Sequence, residues 1–386
     1  MKRVGIIGGG QLAWMMADGA RKLGIELIVQ TPSQQDPAVN IAQETVFAVV
    51  DDAKATEVLA QKCDVITFEN EFVNLEALSV LEKQGVCFRP RLAALAPLLD
   101  KYHQRCYLQE LGLPVPQFFA VDESLIQQPT ELQGKIAHLG FPQKNPIVLK
   151  SRRHGYDGQG TFIIKDWESL QQKLASKNQL YLIEEFIPFE RELAIIAARS
   201  VDGEVVTYPV VETQQEQQVC RRVIAPAEIT ANLADEIEAI ARTLLNNLEV
   251  VGVFGIELFL TPDGKVLVNE IAPRTHNSGH FSLDACETSQ FEQLLRAVCG
   301  LPLGDTALQS QGAVMVNLLG YETSHSDYQS QRQQIAAIPQ AHIHWYGKTE
   351  SRPGRKLGHV TVLVDSQDRD EVIAIARTIE SIWYPE

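Results

Sequence analysis

Residues 253–280 read VFGIELFLTPDGKVLVNEIAPRTHNSGH, and the rest of the chain is organised around them. Two apolar, β-branched runs flank Asp263-Gly264, the strongest short signal for a hairpin. A two-residue turn there pairs Pro262 with Lys265, and counting outward pairs Glu257 with Glu270 on one sheet face. Residues facing each other in this way have Cβ atoms roughly 4.5–5.5 Å apart. Two carboxylates about 5 Å apart repel by roughly 3 kcal/mol at an effective dielectric near 20. The neighbours Ile256, Leu258, Phe259, Leu267 and Val268 are apolar, which argues against a pair on the wet face of a hairpin. Either one carboxyl is protonated or a cation lies between them. A hard cation such as magnesium takes oxygen ligands and commonly keeps phosphate oxygens as partners. The same register puts Asn269 on the opposite face. Neutralising one glutamate, as in Glu270→Gln, is expected to leave the metal-free protein no less stable.

At 386 residues the chain exceeds one ordinary core, so two or three domains are expected. The net charge is −15 and no basic run marks a polyanion track, which excludes nucleic acid as a partner but not a small phosphorylated ligand. The six cysteines are scattered and none forms a C-x-x-C pair, as suits reduced thiols in the cytoplasm. MKRVGIIGGG runs straight into a strand with no secretory apolar region, and no apolar run approaches membrane-spanning length. No membrane partner is expected.

Outward from the hairpin, the chain divides into three. Residues 1–99 alternate strand and helix, the pattern of a doubly wound, Rossmann-like α/β domain. Gly8, Gly10 and Ala13 fit G-x-G-x-x-A after the first strand. A dinucleotide site also needs Asp or Glu about 20 residues on, at the end of the second strand. Gln30 and Thr31 stand there, so NAD is disfavoured, and the turn suits another anion or tight helix–strand packing. Glu69, Asn70 and Glu71 end a later strand, where α/β sheets place ligands; the alternative is a helix cap at Asn70. Residues 86–90 form a last short strand. Residues 100–299 begin with a helix capped by Asp100 and closed at Gly112. Residues 121–146 hold one helix between loops. PIVLKSRRHGYDGQGTFII then gives strand, polar glycine loop, strand. Lys150 closes the first strand, and Gly155, Gly158 and Gly160 let backbone amides wrap a phosphate. The loop is not a Walker motif, because G-K-[ST] is missing and a strand follows. Two strands, an Asp202-Gly203 hairpin and a long amphipathic helix over 228–247 lead into the central hairpin.

After it, EIAPRTHNSGHFSL is expected as an ordered loop, neither helix nor strand. His276 and His280 have a zinc spacing, but Asn277-Ser278-Gly279 breaks the helix such a pair needs. Residues 287–299 form a helix. Residues 300–386 make a small α+β domain of strands and one helix. It carries Lys348, Arg352, Arg355 and Lys356 close together, and arginine forks suit phosphate. The residues thus describe a magnesium-dependent user of ATP with a second anion pocket.

The ordered set K…GYDGQG, LIEEFIPFERE, GIELF, NEIAPRTHNSGH and HWYGK…RPGRK resembles the ATP-grasp ligases. Within them it is similar to the enzymes that carboxylate an aminoimidazole ribonucleotide in bacterial-type purine synthesis. The likeness runs from residue 1 to about 365. It implies a pre-ATP-grasp domain, an ATP-grasp domain and a small C-terminal domain, with ATP and Mg2+ (or Mn2+). Its substrates would be ATP, bicarbonate and 5-aminoimidazole ribonucleotide, in a homodimer whose product passes to a separate mutase. Lys101 and Lys150 would contact the ATP phosphates under a flap of Gly155, Tyr156, Asp157, Gly158, Gln159, Gly160 and Thr161. Glu184, Glu185, Phe186 and Ile187 would form the adenine hinge, Glu192 would hold the ribose, and Asn269 would lie beside the phosphates. Glu257 and Glu270 would hold the metal. Tyr156, Asp157, Arg274, His280, Lys348 and Arg355 would surround the ribonucleotide. Lys150, Asp157 and Arg274 would carry the chemistry, Arg274 as a bicarbonate anchor. Two places depart from the family pattern: Ala13-Trp14 in the first turn, where relatives commonly carry Gly-Arg, and Gln214 to Gln218. A ligase acting on glycinamide ribonucleotide, or an NAD-dependent oxidoreductase, is the alternative.

Overall fold

The structure is a computed structural model that describes residues 2–142, 145–153, 160–175, 179–216, 218–366 and 368–384. Gly155, Tyr156, Asp157, Gly158 and Gln159 of the expected flap lie outside these residues.

The first sheet has strands β1 (Lys2–Ile7), β2 (Ile25–Thr31), β3 (Glu44–Phe47) and β4 (Val65–Phe68), ordered β3-β2-β1-β4 and parallel throughout. Parallel strands covered on both faces read as continuous apolar runs, and Val4, Ile6, Ile7, Ile28 and Val29 are all fully buried. The expected strand over 86–90 reduces to one bridge between Ile66 and Phe88, because Pro90 ends its pairing. Helix capping falls to Asn74, which accepts from Ala77 N–H, and not to Asn70.

The second sheet is antiparallel: β5 (Phe118–Val121), β6 (Ile147–Ser151), β7 (Thr161–Ile164) and β8 (Tyr181–Glu185), ordered β5-β8-β6-β7. Residues 121–146 hold two helices, Glu123–Ile126 and Pro129–His138, split where Pro129 starts a new first turn. β6 and β7 pair Lys150 with Thr161, so the glycine-rich loop joins two neighbouring strands.

The third sheet has nine strands: β9 (Arg191–Arg199), β10 (Val205–Thr207), β11 (Val211–Glu216), β12 (Val219–Ala225), β13 (Gly252–Leu260), β14 (Val266–Ala272), β15 (Gly312–Leu319), β16 (Ala341–Trp345) and β17 (Lys356–Val364). Its order is β14-β13-β9-β11-β12-β15-β17-β16, with β10 on β9. The C-terminal strands therefore extend the sheet of the hairpin, through β12 against β15. Two helices accompany them, Gln329–Ala336 and Arg369–Trp383, where one was expected. The helix Ala231–Leu248, capped by Thr230, buries Ile237, Ile240, Ala241, Leu244, Leu245 and Leu248 on one face. Each such Leu or Ile contributes about 1.5–3 kcal/mol, and together they hold the sheet that carries the hairpin.

The hairpin departs from expectation twice. Thr261 N–H bonds to Lys265 O, and Gly264 N–H to Thr261 O, both at 2.9 Å. The loop is therefore the three residues Pro262, Asp263 and Gly264, with Gly264 at φ 79°. Leu260, Phe259 and Leu258 face Val266, Leu267 and Val268, one residue off the two-residue register. A bulge next to Glu257 then takes up Asn269 as an extra residue, and Glu257 faces Glu270 after all. Beyond β14, the stretch expected to be irregular contains a 3-10 turn (Asn277–Gly279) and a short helix (Ser282–Ala285).

Candidate active site

A cavity of about 510 Å³ lies where the three sheets meet. At one end β6 presents Lys150 and β8 presents Glu184, 6% and 2% exposed. Lys150 Nζ reaches Glu184 Oε2 at 2.8 Å and Asn269 Oδ1 at 3.1 Å. Arg105, from the helix Lys101–Glu110, donates to the other Glu184 oxygen and to Val268 O. Burial alone would raise the Glu184 carboxyl, but Arg105 and Lys150 outweigh it and hold it at about 2. Burial pulls the Lys150 ammonium down, with Glu184 opposing. We take Lys150 as charged, because removing its proton would strand a buried carboxylate. Glu185, Phe186, Ile187 and Thr161 line the same end. Gly160 closes the strand pair through its carbonyl, which accepts from Ser151 N–H at 2.7 Å. Glu185 N–H donates to Gln117 O, so this hinge amide already has a partner.

The glutamate pair lies deeper. Glu270 bonds to Lys101 Nζ at 2.5 Å. Glu257 accepts from Asn269 Nδ2 at 3.3 Å and stands 3.4 Å from His276 Nε2. The bulge swings Asn269 onto the face of the two glutamates, which corrects the expectation that it points away. Burial, and then the charge of Glu270, push the Glu257 carboxyl up. Burial would raise Glu270 too, but Lys101 and Lys150 outweigh it and bring it down. The pair thus carries its charge mainly on Glu270. Glu192, facing Phe259 on the neighbouring strand, is pushed up to about 7 by burial and then by Glu257. Among the described residues no group of three or more His, Cys, Asp or Glu side chains could hold a metal by itself. Two carboxylates and a neutral amide, with one carboxylate lacking a full cationic partner, fit Mg2+ or Mn2+ that also takes phosphate oxygens.

The other end is built by the loop after β14 and by the first domain. Arg274 forms a two-point pair with Glu71, at 2.7 and 3.3 Å. Burial would raise Glu71, but Arg274 holds it low. Glu69 fills the glycine turn: it accepts from Gly10 N–H at 3.1 Å and Leu12 N–H at 3.3 Å. A Cβ on Gly8 or Gly10 would sit 2.5 Å or less from its carboxylate. The anion in the G-x-G-x-x-A turn is the protein's own, which removes the physical basis of a dinucleotide site there. Lys356 and Gln11 line the cavity; Lys348 sits behind Gln11, bonding its Oε1 at 2.9 Å. Arg355 turns to Glu350, and neither it nor Lys348 lines the cavity. His280 is 1% exposed at the cavity wall, with Nδ1 towards Gln290. Its pKa falls well below the ordinary value, first through burial. Sequence reasoning left Arg105 and Gln11 without roles, named Glu69 only among three strand-end residues and Lys356 only within a basic cluster, and weighed His276 only as a zinc ligand. Arg105 had no motif to mark it.

The fold and this cavity define an ATP-grasp protein. A model of the ATP-grasp domain matches residues 106–291, one of the ribonucleotide synthetase preATP-grasp domain matches 1–97, and one of the phosphoribosylaminoimidazole carboxylase C-terminal domain matches 313–372. The N5-carboxyaminoimidazole ribonucleotide synthase of Synechococcus elongatus is 56% identical over 99% of this chain and 96% of its own. That of Bacillus subtilis is 36% identical over 95% and 92%. The Aspergillus clavatus N5-carboxyaminoimidazole synthase, solved in complex with ADP and 5-aminoimidazole ribonucleotide, superposes with a TM-score of 0.89 at 31% identity, over 99% of this chain and 98% of that one. The chain belongs to the N5-carboxyaminoimidazole ribonucleotide synthase family of ATP-grasp ligases. Among the described residues no helix is long and apolar enough to cross a membrane.

Proposed function

We propose that the chain carboxylates 5-aminoimidazole ribonucleotide with bicarbonate at the expense of ATP, giving N5-carboxyaminoimidazole ribonucleotide, ADP and phosphate, in purine synthesis. One observation carries the reading: a single cavity joins a lysine–glutamate end fitted to nucleotide phosphates and a metal to an Arg274–Lys356 end fitted to a second anion. Glu257 and Glu270 would hold Mg2+ or Mn2+, which when bound shields charge on the phosphates. Lys150 and Lys101 stabilise the phosphoryl group while a bicarbonate oxygen attacks the γ-phosphorus and ADP leaves. Phe186 and Ile187 supply the adenine hinge beside Glu184 and Glu185, and Glu192 takes the ribose. Arg274, held by Glu71, anchors bicarbonate. The exocyclic amine then attacks the carboxyl carbon of carboxyphosphate, or carbon dioxide from it; phosphate departs and the amine loses one proton. Tyr156 and Asp157 would stand beside that amine, as the family resemblance implies, and the flap to Thr161 would exclude water.

The enzyme works in the cytoplasm as a homodimer and hands its product to a separate mutase. ADP release with bicarbonate, measured with and without aminoimidazole ribonucleotide and with glycinamide ribonucleotide as the rival acceptor, tests the reading. Release that responds to glycinamide ribonucleotide alone overturns it.

A further inference from the structure

We propose that Gln290 is a positioning residue for the carboxylation: its buried amide sets the loop that carries Arg274 and His276 into the cavity. Assigning that loop to the acceptor substrates rests on the function proposed above. Gln290 opens the helix Gln290–Cys299 and is fully buried. Its amide oxygen accepts from His276 N–H at 2.9 Å, and its amide nitrogen donates to His276 O at 2.7 Å. One side chain thus holds both backbone groups of one residue, as a neighbouring strand would. A loop without a ladder needs such partners, because a buried backbone group left unpaired is destabilising.

The same amide nitrogen lies 3.2 Å from His280 Nδ1. The amide oxygen is fixed as acceptor by His276, so His280 Nδ1 accepts and its ring is neutral with the proton on Nε2. Gln290 N–H donates to Ser282 Oγ at 2.9 Å, and Ser282 Oγ donates to Gly279 O at 2.6 Å. A Cβ at Gly279 would stand 2.7 Å from Gln290 Oε1, so the amide packs directly on glycine backbone. One residue therefore fixes the loop at His276, Gly279, His280 and Ser282.

The helix is itself seated on the first domain. Glu292 pairs with Lys22 at 2.9 Å, and a Cβ at Gly19 would stand 2.9 Å from Glu292 Cα. The first domain also supplies Glu71, the partner of Arg274. Gln290 thus relates the loop to the domain that orients its arginine. Four residues of the loop line the cavity: Arg274, His276 beside Glu257, Asn277 and His280. Gln290 does not line the cavity and touches no reacting atom.

The test uses the full chain with ATP, bicarbonate and aminoimidazole ribonucleotide, comparing Gln290→Met, Gln290→Glu and Gly279→Ala with wild type. Gln290→Met keeps length and volume and removes all three side-chain bonds. A shift of about 1 Å at a reacting group lowers rate by about 100-fold. The expected result is a KM for ribonucleotide raised about 10-fold or more with reduced kcat, while KM for ATP and calorimetric ADP affinity stay within about twofold. Gln290→Glu, which keeps the acceptor for His276 N–H, falls between. Gly279→Ala, whose Cβ presses on the amide and equally on Ile196, displaces the amide without altering it and reproduces the split; if Gln290→Met does not fold, these two variants carry the test. A merely structural Gln290 lowers the melting temperature and the number of ADP sites while both KM values hold, and that result overturns the proposal. If wild type shows no ribonucleotide-dependent ADP release, the function reading falls instead. The clamp is then judged by hydrogen exchange at the His276 amide: faster exchange in Gln290→Met or Gly279→Ala sustains it, and unchanged exchange overturns it.

Discussion

Glu184 and Glu257 line one cavity, and burial raises both carboxyls, but their neighbours send them in opposite directions. Glu184 is held at about 2 because Arg105 and Lys150 reach both its oxygens. Glu257 is pushed up by burial first and then by the charge of Glu270, to which Lys101 bonds instead. The protein completes the charge around the first glutamate and leaves the second pair short of a cation. The first is scaffold for Lys150, the lysine proposed to meet phosphate. The second is a vacancy of charge that a metal arriving with the nucleotide would fill.

The sharpest way to break this contrast is Glu184→Gln. Removing one partner of a buried pair destabilises by about 3–5 kcal/mol, since the cations are left without their anion. The pH dependence has a fixed sign. The folded carboxyl titrates near 2, below its unfolded value near 4.3. Its contribution is fully present above that unfolded value and is lost as pH falls through about 2. Urea unfolding at pH 7 and pH 3 should show a gap between wild type and variant that shrinks on acidification. A constant gap would mean that Glu184 acts by shape alone.

Next in size is Lys150→Ala. A donor aimed at developing charge is worth about 100- to 1000-fold in rate. Bicarbonate-dependent ADP release should fall by that range while the melting curve keeps one cooperative transition. A wild-type rate would detach Lys150 from the phosphates and leave it as the counter-ion of Glu184 only.

The glutamate pair comes third, and the structure revises the expectation drawn from symmetry. Glu270 holds Lys101, so Glu270→Gln strands a cation and should destabilise the metal-free protein by about 1–3 kcal/mol. Glu257→Gln removes a carboxyl that burial already disfavours and should leave that protein as stable as wild type, or more so. Both should abolish the stabilisation by magnesium with ADP, which is about 2.7 kcal/mol at one hundred times Kd. Thermal shifts with and without metal and ADP separate the cases. Equal behaviour of the two variants without metal would show that the charge is shared.

How much of this was legible follows from the range of each contact. The alternation in residues 1–99 and the facing of Glu257 and Glu270 were readable, because both are set within a few residues. Yet the facing came out through two compensating errors. Pro262-Asp263-Gly264 suits a three-residue loop, with proline second in a type I turn and glycine left-handed after it. That loop moved the register by one residue, and the bulge at Asn269 moved it back. The bulge also brought Asn269 to Lys150, which no period-two reading of a strand allows. Arg105 with Glu184, Glu69 with Gly10 and Gln290 with His276 stayed hidden, because each joins segments whose spacing in the chain carries no pattern. The joining of β15 to β12 was hidden for the same reason: a strand's sequence names its buried faces, not its neighbour.

The smallest expected effect is that of Arg355→Ala, and it carries the opening contrast to the substrate end. The family resemblance implies that Arg355 meets the ribonucleotide phosphate, where a charge-assisted contact of about 1.5–3 kcal/mol means roughly 10- to 150-fold in KM. In the structure Arg355 bonds to Glu350 O at 2.9 Å and Glu350 Oε2 at 3.3 Å, so it resembles Glu184 in having its partner supplied by the protein. Such a partly exposed pair is worth about 0–1 kcal/mol, so KM for the ribonucleotide should rise less than about fivefold. Lys356, which faces the cavity, should give the larger rise when replaced by Ala. Both variants should leave KM for ATP in place. Steady-state kinetics with the ribonucleotide varied at saturating ATP and bicarbonate decide it. A rise above tenfold for Arg355→Ala would show that this arginine leaves Glu350 for the phosphate when the substrate binds. The substrate end would then resemble the glutamate pair, whose charge is completed only by what enters the cavity.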